Sequence, residues 1–164
     1  MSSIVQSSEL KNITEDKHLA PQDKGLYLLV LKLKVKQNIS AGKLKTTEFK
    51  PGIYLYIGSA QNGLLRRIVR HLRKKKKTFW HTDYLLQRAQ IEEVWVKRNV
   101  FDECKTLQDA KNLLKNSIFP LKKFGSSDCR CPSHLIYLPK SKADFQSMRQ
   151  RLSFEKVNIH EIQA

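Results

Sequence analysis

The first segment with a clear structural pattern is a run of apolar residues that begins at Gly25. Residues 25–30 are apolar or aromatic throughout, and from Leu31 to Lys36 apolar residues alternate with lysine. A continuous apolar run is typical of a strand that is buried on both faces, and alternation is typical of a strand with one face in water. We therefore predict one β-strand over 25–36.

Segments with strand character continue to about residue 58. Residues 39–49 have the pattern of a short strand pair interrupted at Gly42, and residues 53–57 are β-branched and aromatic. A turn at Pro51-Gly52 separates these two segments. We expect residues 25–58 to form an antiparallel meander.

The period of the apolar residues changes after the loop 61–63. Arginine and lysine fill most positions up to residue 77, and between them apolar residues recur at helical spacing, namely Leu64, Leu65, Ile68, Val69 and Leu72. This pattern predicts an amphipathic helix over 64–77 with a basic outer side and a basic exit. The rest of the pattern predicts helices over 82–89 and 103–117 and strands over 91–97 and 134–138.

Composition divides the chain into three parts. Residues 1–23 are rich in Ser, Lys, Asn, Glu and Asp, so we expect a flexible polar tail. Residues 24–139 carry the periodic apolar pattern of one folded domain. Residues 140–164 form a C-terminal extension, and their pattern leaves open whether this extension packs on the domain or contacts a partner.

Charge adds the strongest compositional signal. The 164 residues include 31 Lys and Arg against 15 Asp and Glu, a formal net charge of +16 at pH 7. Such an excess repels itself and favours a polyanionic partner such as nucleic acid. The alternative is a surface that is simply rich in lysine.

The chain also has features that bear on its compartment. It contains no run of 18 apolar residues, which excludes a membrane-spanning helix, and its first residues lack the apolar stretch of a secretory signal. Three cysteines, an odd and low count, argue against a disulfide framework and fit a reducing compartment. We expect a cytoplasmic protein without a membrane partner, nucleoid-associated if the source is prokaryotic.

Two tripeptides and three later residues form an ordered series along the chain. Gly25-Leu26-Tyr27 opens the first strand, and Tyr56-Ile57-Gly58 ends the last strand of the predicted meander. Arg67 and His71 follow four residues apart on one helix face, and Glu103 opens a later helix. Polar and charged residues at strand and helix ends, in this order, are candidates for a single site.

The series resembles the GIY-YIG nuclease superfamily, and in particular its small stand-alone branch of Uri-type endonucleases. The resemblance covers about residues 24–138 and includes the Trp80-His-Thr-Asp-Tyr-Leu run and the loop signature Phe-Gly-Ser-Ser-Asp-Cys-Arg-Cys-Pro-Ser-His over 124–134. Gly52-Ile53-Tyr54 spells the first motif literally, but only Leu55 separates it from Tyr56, so Tyr27 belongs to the first motif.

The resemblance implies an α/β (α+β) fold, a GIY-YIG-like small and mostly antiparallel sheet flanked by helices, in a monomer. It also implies a metal-dependent endonuclease that hydrolyses DNA phosphodiester bonds in repair, recombination or structure-specific processing. The implied cofactor is Mg²⁺ or Mn²⁺, which takes one or two carboxylates and keeps several waters. The DNA would be single-stranded or branched, and RNA is left open.

In the family pattern each residue of the series has a role. Tyr27 lies near the attacking water as a base, Tyr56 positions the water or the phosphate, and Glu103 is the metal ligand. A phenol with a pKa of ~10 is a poor base at neutral pH, so we expect neighbouring cations to lower this pKa. Arg67 would bind the scissile phosphate, and His71 would move a proton near pH 7.

Basic residues around the same helix are candidates for nucleic-acid binding. We assign this role to Arg66, Arg70, Arg73, Lys74, Lys75, Lys76, Lys77 and His81. Arg66 is a rival to Arg67 as the phosphate ligand, but it lacks a histidine partner four residues on. Trp80 and His81 could stack on an unpaired base, whereas Trp80 could equally be a core residue.

Three alternatives stay open at this level. Asp128 is a candidate second-shell residue of the metal. Cys104, Cys129, Cys131 and His134 could bind zinc, a less favoured reading because Cys-x-Cys is not the usual Cys-x₂-Cys spacing. Finally, the chain could be a nucleic-acid-binding module of the same fold that has weak or no catalytic activity.

Overall fold

The structure is a computed structural model that describes residues 18–139 and 142–162. Most of the predicted flexible tail, residues 1–17, lies outside the described residues. The described part is a mixed α+β fold with a five-stranded antiparallel sheet flanked by helices, which confirms the predicted fold class.

The central sheet is built from four strands of the domain and one short strand of the extension. Within the described residues the strands are, in chain order, β1 (Gly25–Leu33), β2 (Gln37–Ile39), β3 (Thr47–Phe49), β4 (Gly52–Ala60), β5 (Gln90–Arg98), β6 (Leu135–Leu138) and β7 (Glu155–Val157). The order in the sheet is β6-β4-β1-β5-β7, and every neighbouring pair is antiparallel. β1 is therefore the middle strand.

The predicted meander is wrong in its pairing. β1 pairs directly with β4 from Gly25↔Ala60 to Leu33↔Gly52, whereas β2 and β3 form a separate two-stranded ribbon. β1 and β4 are mostly buried nine-residue strands and pair along their whole length, whereas β2 and β3 have three residues each and pair only with each other. β1 ends at Leu33, before the exposed residues 34–36.

The helices are shorter than the apolar pattern predicts. They are α1 (Leu64–Leu72), α2 (His81–Leu86), α3 (Glu103–Leu113), α4 (Lys142–Arg151) and α5 (Ile159–Ile162). α1 ends because Arg73 has an extended backbone, with φ −65° and ψ 127°. The ammonium group of Lys76 then donates to the carbonyls of Arg70 and His71, which are among the last carbonyls of the helix.

Two apolar cores lie on the two faces of the sheet. Successive residues of a strand point to opposite faces, so Tyr27 and Leu29 pack with Leu64 of α1, whereas Leu28 packs with Leu107 of α3. α1 and α2 thus cover one face, and α3 and α4 cover the other. None of the helices within the described residues is long and apolar enough to cross a bilayer.

The C-terminal extension packs on the domain, which the sequence had left open. β7 pairs with β5, with Val157 opposite Val94. Phe145 and Met148 of α4 are buried in the core on the α3 side of the sheet. These contacts make the extension part of the folded unit.

One disulfide differs from the expectation based on the cysteine count. Cys104 at the start of α3 is joined to Cys131 in the loop before β6, with 5.5 Å between the Cα atoms, and Cys129 is free. The count alone argued against disulfides, but folding brings two cysteines that are 27 residues apart into contact.

Candidate nuclease site

A cavity of about 530 Å³ opens at the end of the sheet where β1 begins and β4 ends. Its walls include four of the five residues to which the sequence assigned catalytic roles, namely Tyr27, Tyr56, Arg67 and Glu103. Glu103 belongs to the helix layer on the far face, yet it reaches the cavity because it is the first residue of α3. The fifth residue, His71, is buried behind Tyr27 and does not line this cavity.

Two glycines, Gly58 of the second tripeptide and Gly125 of the loop signature, allow the two phenol rings to pack closely. Tyr27 faces Gly58 across the β1–β4 pair, and a Cβ atom at Gly58 would lie 2.4 Å from the Tyr27 hydroxyl. Gly125 similarly packs on Tyr56, where an added Cβ would lie 2.7 Å from Cε2 of the ring. The ring centroids of Tyr27 and Tyr56 are 6.3 Å apart. Glycine is therefore needed at position 58 for close approach rather than for backbone freedom.

The electrostatics of the phenols correct one expectation. Burial raises the pKa of Tyr27 well above its usual value, and the neighbouring Tyr56 raises it further. Burial and the charge of Glu103 likewise raise the pKa of Tyr56. The Arg67 guanidinium lowers both pKa values but does not outweigh burial. The neighbouring cations thus fail to lower the phenol pKa as expected, and both hydroxyls are neutral at pH 7.

His71 is the hydrogen-bond partner of Tyr27. The Tyr27 oxygen and His71 Nε2 are 2.9 Å apart. Burial, assisted by the Lys76 charge, lowers the pKa of His71 to about 3. In the neutral tautomer with its proton on Nδ1, His71 offers Nε2 as the acceptor for the Tyr27 hydroxyl. His71 therefore does not titrate near pH 7, which corrects the role expected from its usual pKa.

We expect His71 to make the folded state sensitive to acid. Its pKa is about 3 in the folded chain and 6.5 as the reference value, so the unfolded chain binds more protons between these pH values. This contribution to stability is complete above pH 6.5 and is lost as the pH falls toward 3, by up to about 1.4 kcal/mol per pH unit. Urea unfolding of wild type and His71→Gln at several pH values measures it. Parallel pH dependences of the two proteins would contradict this assignment.

Trp80 holds two arginines of α1 in place. The guanidinium carbons of Arg67 and Arg70 lie 4.4 Å and 3.8 Å from the centre of the Trp80 indole. Arg70 also donates to both carboxylate oxygens of Asp83, each at 2.9 Å. Arg70 is thus both stacked and held in a bidentate pair, whereas Arg67 is oriented by its stacking on Trp80. Arg70 therefore has a structural partner, while Arg67 is the arginine of this pair that faces the cavity.

Some of the other predicted nucleic-acid-binding residues are exposed, and others make hydrogen bonds within the protein. Exposed side chains follow α1 and the segment after it, namely Arg66, Arg73, Lys74, Lys75 and Lys77. A second cavity of about 650 Å³ lined by Arg66 and Arg73 shares Arg67 and Trp80 with the first. Lys76 is engaged by helix carbonyls. His81 lines the first cavity and accepts a hydrogen bond of 2.8 Å from the Gly125 amide.

Glu103 is held by residues from two other elements. The Ser59 hydroxyl donates to Oε1 at 2.5 Å, and His134 Nδ1 lies 3.1 Å from Oε2. The Glu103 side chain keeps 27% of its surface exposed, so it is accessible from the cavity. Asp128, the predicted second-shell residue, also lines the cavity.

The donor set suits a hard divalent cation. Carboxylate oxygens of Glu103 and Asp128 face a cavity large enough for a hydrated ion. Mg²⁺ and Mn²⁺ prefer oxygen ligands, and Mg²⁺ commonly takes one or two carboxylates with substrate phosphate and water completing the shell. The residues present therefore fit the cofactor that the resemblance implies.

A comparison with protein families places this domain. Residues 26–156 match the family described as a domain of unknown function, DUF123. The chain belongs to the DUF123 family. The match begins within the first tripeptide, at Leu26, and includes the second tripeptide, the loop signature and the first part of the extension, so the DUF123 domain continues past residue 139. Comparisons with curated proteins and with solved structures gave no significant match.

Sequence reasoning missed several residues of this DUF123 domain that act on the site. Ser59 and His134 both lie within motifs that the sequence displays, but no spacing rule indicates that they contact Glu103. The sequence leaves Trp80 either as a base-stacking residue or as a core residue, whereas in the structure it packs against Arg67 and Arg70. These contacts join residues distant in sequence, and only folding brings them together.

Proposed function

We propose that this DUF123 domain is a metal-dependent endonuclease that hydrolyses DNA phosphodiester bonds. The observation that carries the proposal is the single cavity that brings together Tyr27, Tyr56, Arg67 and Glu103. Two phenols, a guanidinium and an accessible carboxylate are the groups that phosphoryl hydrolysis requires for water, phosphate charge and metal binding. The proposal includes a cytoplasmic location.

Arg67 is the proposed ligand of the scissile phosphate. Its guanidinium lies at the cavity wall and stacks on Trp80, so its donors have a restricted orientation. A planar guanidinium can donate two parallel hydrogen bonds to phosphate oxygens and can stabilise the charge that develops on them. Arg67 thus binds the phosphate in the ground state and stabilises the transition state.

Tyr27 and His71 form the proposed proton relay. Because both groups are neutral, Tyr27 can accept the proton of the attacking water only while its own proton moves to Nε2 of His71. This transfer leaves a neutral phenol and an imidazolium, and because burial lowers the pKa of His71 to about 3, the imidazolium forms only transiently and returns its proton after the step. His71 therefore acts through Tyr27, and Tyr56 positions the water or the phosphate.

Glu103 is the proposed ligand of the divalent cation. The bound cation would lower the pKa of a coordinated water and neutralise charge on the phosphoryl oxygens. Ser59 and His134 hold the two carboxylate oxygens of Glu103, which fixes the direction in which the carboxylate faces the cavity. Asp128 lines the same cavity as a supporting carboxylate.

The surface around the cavity supports a nucleic-acid substrate. The exposed basic residues of α1 adjoin the cavity, and Phe79 at its rim keeps 74% of its surface exposed. An exposed aromatic ring beside a basic groove is suited to stacking on an unpaired base. Single-stranded or branched DNA is therefore the proposed substrate, and RNA of the same form is the comparison.

A panel of nucleic acids tests the proposed activity. The full chain is incubated at near-physiological salt with single-stranded, nicked, branched and duplex DNA and with single-stranded RNA, with Mg²⁺, with Mn²⁺ and with a chelator. We expect cleavage with either metal, none with chelator, and a preference for DNA with unpaired bases. Cleavage that persists in chelator would reject the metal-dependent mechanism.

The raised phenol pKa values favour a second candidate, a binding module without turnover. Neutral, buried tyrosines are poor bases, whereas the basic surface binds nucleic acid without any chemistry. This candidate predicts binding with a steep salt dependence, a slope of roughly −0.9 per neutralised phosphate on duplex DNA, and no cleavage of any substrate with either metal. Cleavage in the panel would reject it.

A further inference from the structure

A cluster of sulfur and nitrogen atoms lies directly behind Glu103. One ligand atom each from Cys104, Cys129, Cys131 and His134 lies within 4.8 Å of all the others. In a tetrahedral zinc site with Zn–S bonds of about 2.3 Å, neighbouring ligand atoms are about 3.5–3.8 Å apart. Cys129 Sγ and His134 Nε2 are already 3.4 Å apart. To match zinc geometry, the two bonded sulfurs of Cys104 and Cys131 must separate after reduction, and separations near the 4.8 Å limit must shorten by about 1 Å.

We propose that Cys104, Cys129, Cys131 and His134 bind one Zn²⁺ when the disulfide is reduced. Three thiolates and one imidazole are a donor set typical of structural zinc, and they are softer than the oxygen donors of the neighbouring cavity. The zinc site is thus distinct from the proposed magnesium site, although Cys104 and Glu103 are adjacent in sequence.

The surroundings of the cluster fit a bound ion. Glu103 Oε2 lies 3.1 Å from His134 Nδ1, so a carboxylate faces the ring nitrogen that would not bind zinc, as in carboxylate–histidine–zinc arrangements. The ammonium group of Lys123 donates to the carbonyls of Cys129 and Cys131 and places a positive charge beside the thiolates. With Nε2 on the ion, the His134 proton lies on Nδ1 toward Glu103.

The loop that carries three of the ligands lacks regular structure that would hold it in place. Residues 119–134 contain no helix or strand in the described structure, yet they form one wall of the first cavity through Gly125 and Asp128. A zinc ion held by this loop and by α3 would fix that wall relative to Glu103. Small segments without regular structure commonly depend on a metal or a disulfide for this purpose.

The disulfide and the zinc ion use the same two sulfur atoms, so they exclude each other. A low-molecular-weight disulfide is the oxidant that converts one form to the other by thiol–disulfide exchange. One cysteine thiolate attacks the oxidant, the second displaces it, and the Cys104–Cys131 bond forms. The two electrons reduce the oxidant to two thiolates, and Zn²⁺ leaves because only Cys129 and His134 remain as ligands.

Metal analysis of the full chain tests the site. The protein is purified with a phosphine reductant and without chelator, and its zinc content and free thiols are measured together. We expect about one Zn²⁺ per chain, a loss of at least about tenfold in Cys129→Ser, and full zinc in Arg130→Ala. Cys129 is outside the disulfide, so its replacement leaves that bond able to form, and Arg130 is an exposed loop residue between two ligands.

A cobalt titration keeps the test decisive if Cys129→Ser fails to fold. Reduced wild-type protein should bind Co²⁺ with thiolate charge-transfer absorption and the strong visible bands of a tetrahedral site, and Zn²⁺ should displace the cobalt. Excess oxidised glutathione should then release one Zn²⁺ for every two thiols lost. If a chain with three free thiols takes up neither metal, the proposed zinc site is wrong. If zinc stays bound after two thiols have been lost, the proposed exchange between zinc and the disulfide is wrong.

Discussion

Replacing Glu103 by glutamine should reduce DNA cleavage by about 1000-fold or more, which corresponds to about 4 kcal/mol of activation free energy. Glutamine keeps the size of the side chain and one oxygen for the Ser59 hydroxyl, but it lacks the charge that holds a divalent cation. Cleavage under single-turnover conditions measures the loss. DNA binding, measured by fluorescence anisotropy, should change by less than about threefold because Glu103 does not carry the basic surface.

Asp109→Asn is the matched control for Glu103→Gln. Asp109 lies on the same helix, has a side chain that is 40% exposed and pairs with Lys105, so its replacement removes the same charge at a position that does not line the cavity. We expect wild-type cleavage from this variant. Zinc content is measured in both variants because Glu103 also contacts His134. Cleavage by Glu103→Gln at more than a tenth of the wild-type rate, with zinc unchanged, would rule out Glu103 as the metal ligand.

Replacing Arg67 by lysine should lower the cleavage rate by about 100- to 1000-fold. Lysine keeps the positive charge but cannot donate two parallel hydrogen bonds or stack on Trp80 as guanidinium does. The loss should fall on the rate constant of the bound complex more than on substrate affinity, since the proposed contact strengthens in the transition state. Single-turnover rates over a range of protein concentrations separate the two effects.

Arg66→Lys is the control for Arg67→Lys, and it also settles the rivalry between these arginines. Arg66 is the preceding residue on α1, is exposed and lines the second cavity rather than the first. Its replacement by lysine should leave the cleavage rate within about threefold of wild type. Equal losses from the two substitutions would mean that α1 contributes only diffuse charge, and the proposed phosphate ligand would be wrong.

The strength of the sequence prediction differs between parts of the fold. The central strands were predictable because their apolar runs are continuous, and the basic helix was predictable because its apolar residues recur at helical spacing. The end of α1 was not predictable, since Arg73 leaves the helix and Lys76 then caps it by contacts that do not change the apolar pattern. The separate β2–β3 ribbon was likewise not predictable, since the apolar pattern marks the strands but not which strands pair.

The residues of the candidate site could be predicted from the sequence, but their protonation and pKa shifts could not. The ordered series named Tyr27, Arg67 and Glu103, which line one cavity. It also led to the expectation of phenols with a lowered pKa, whereas burial raises the pKa of both tyrosines. A sequence indicates which charges are nearby along a helix, but desolvation depends on how completely the folded chain excludes water.

The sequence by itself determined the elements that local pattern controls, namely two apolar strands and a basic amphipathic helix. Only the tertiary structure decided that Glu103 reaches around the sheet to the phenols, that His71 stands behind Tyr27, and that Cys104 meets the 129–134 loop. The reason is physical. Periodicity reports which side of an element is buried, whereas contacts between distant residues and the pKa shifts that burial causes arise only when all the elements pack together.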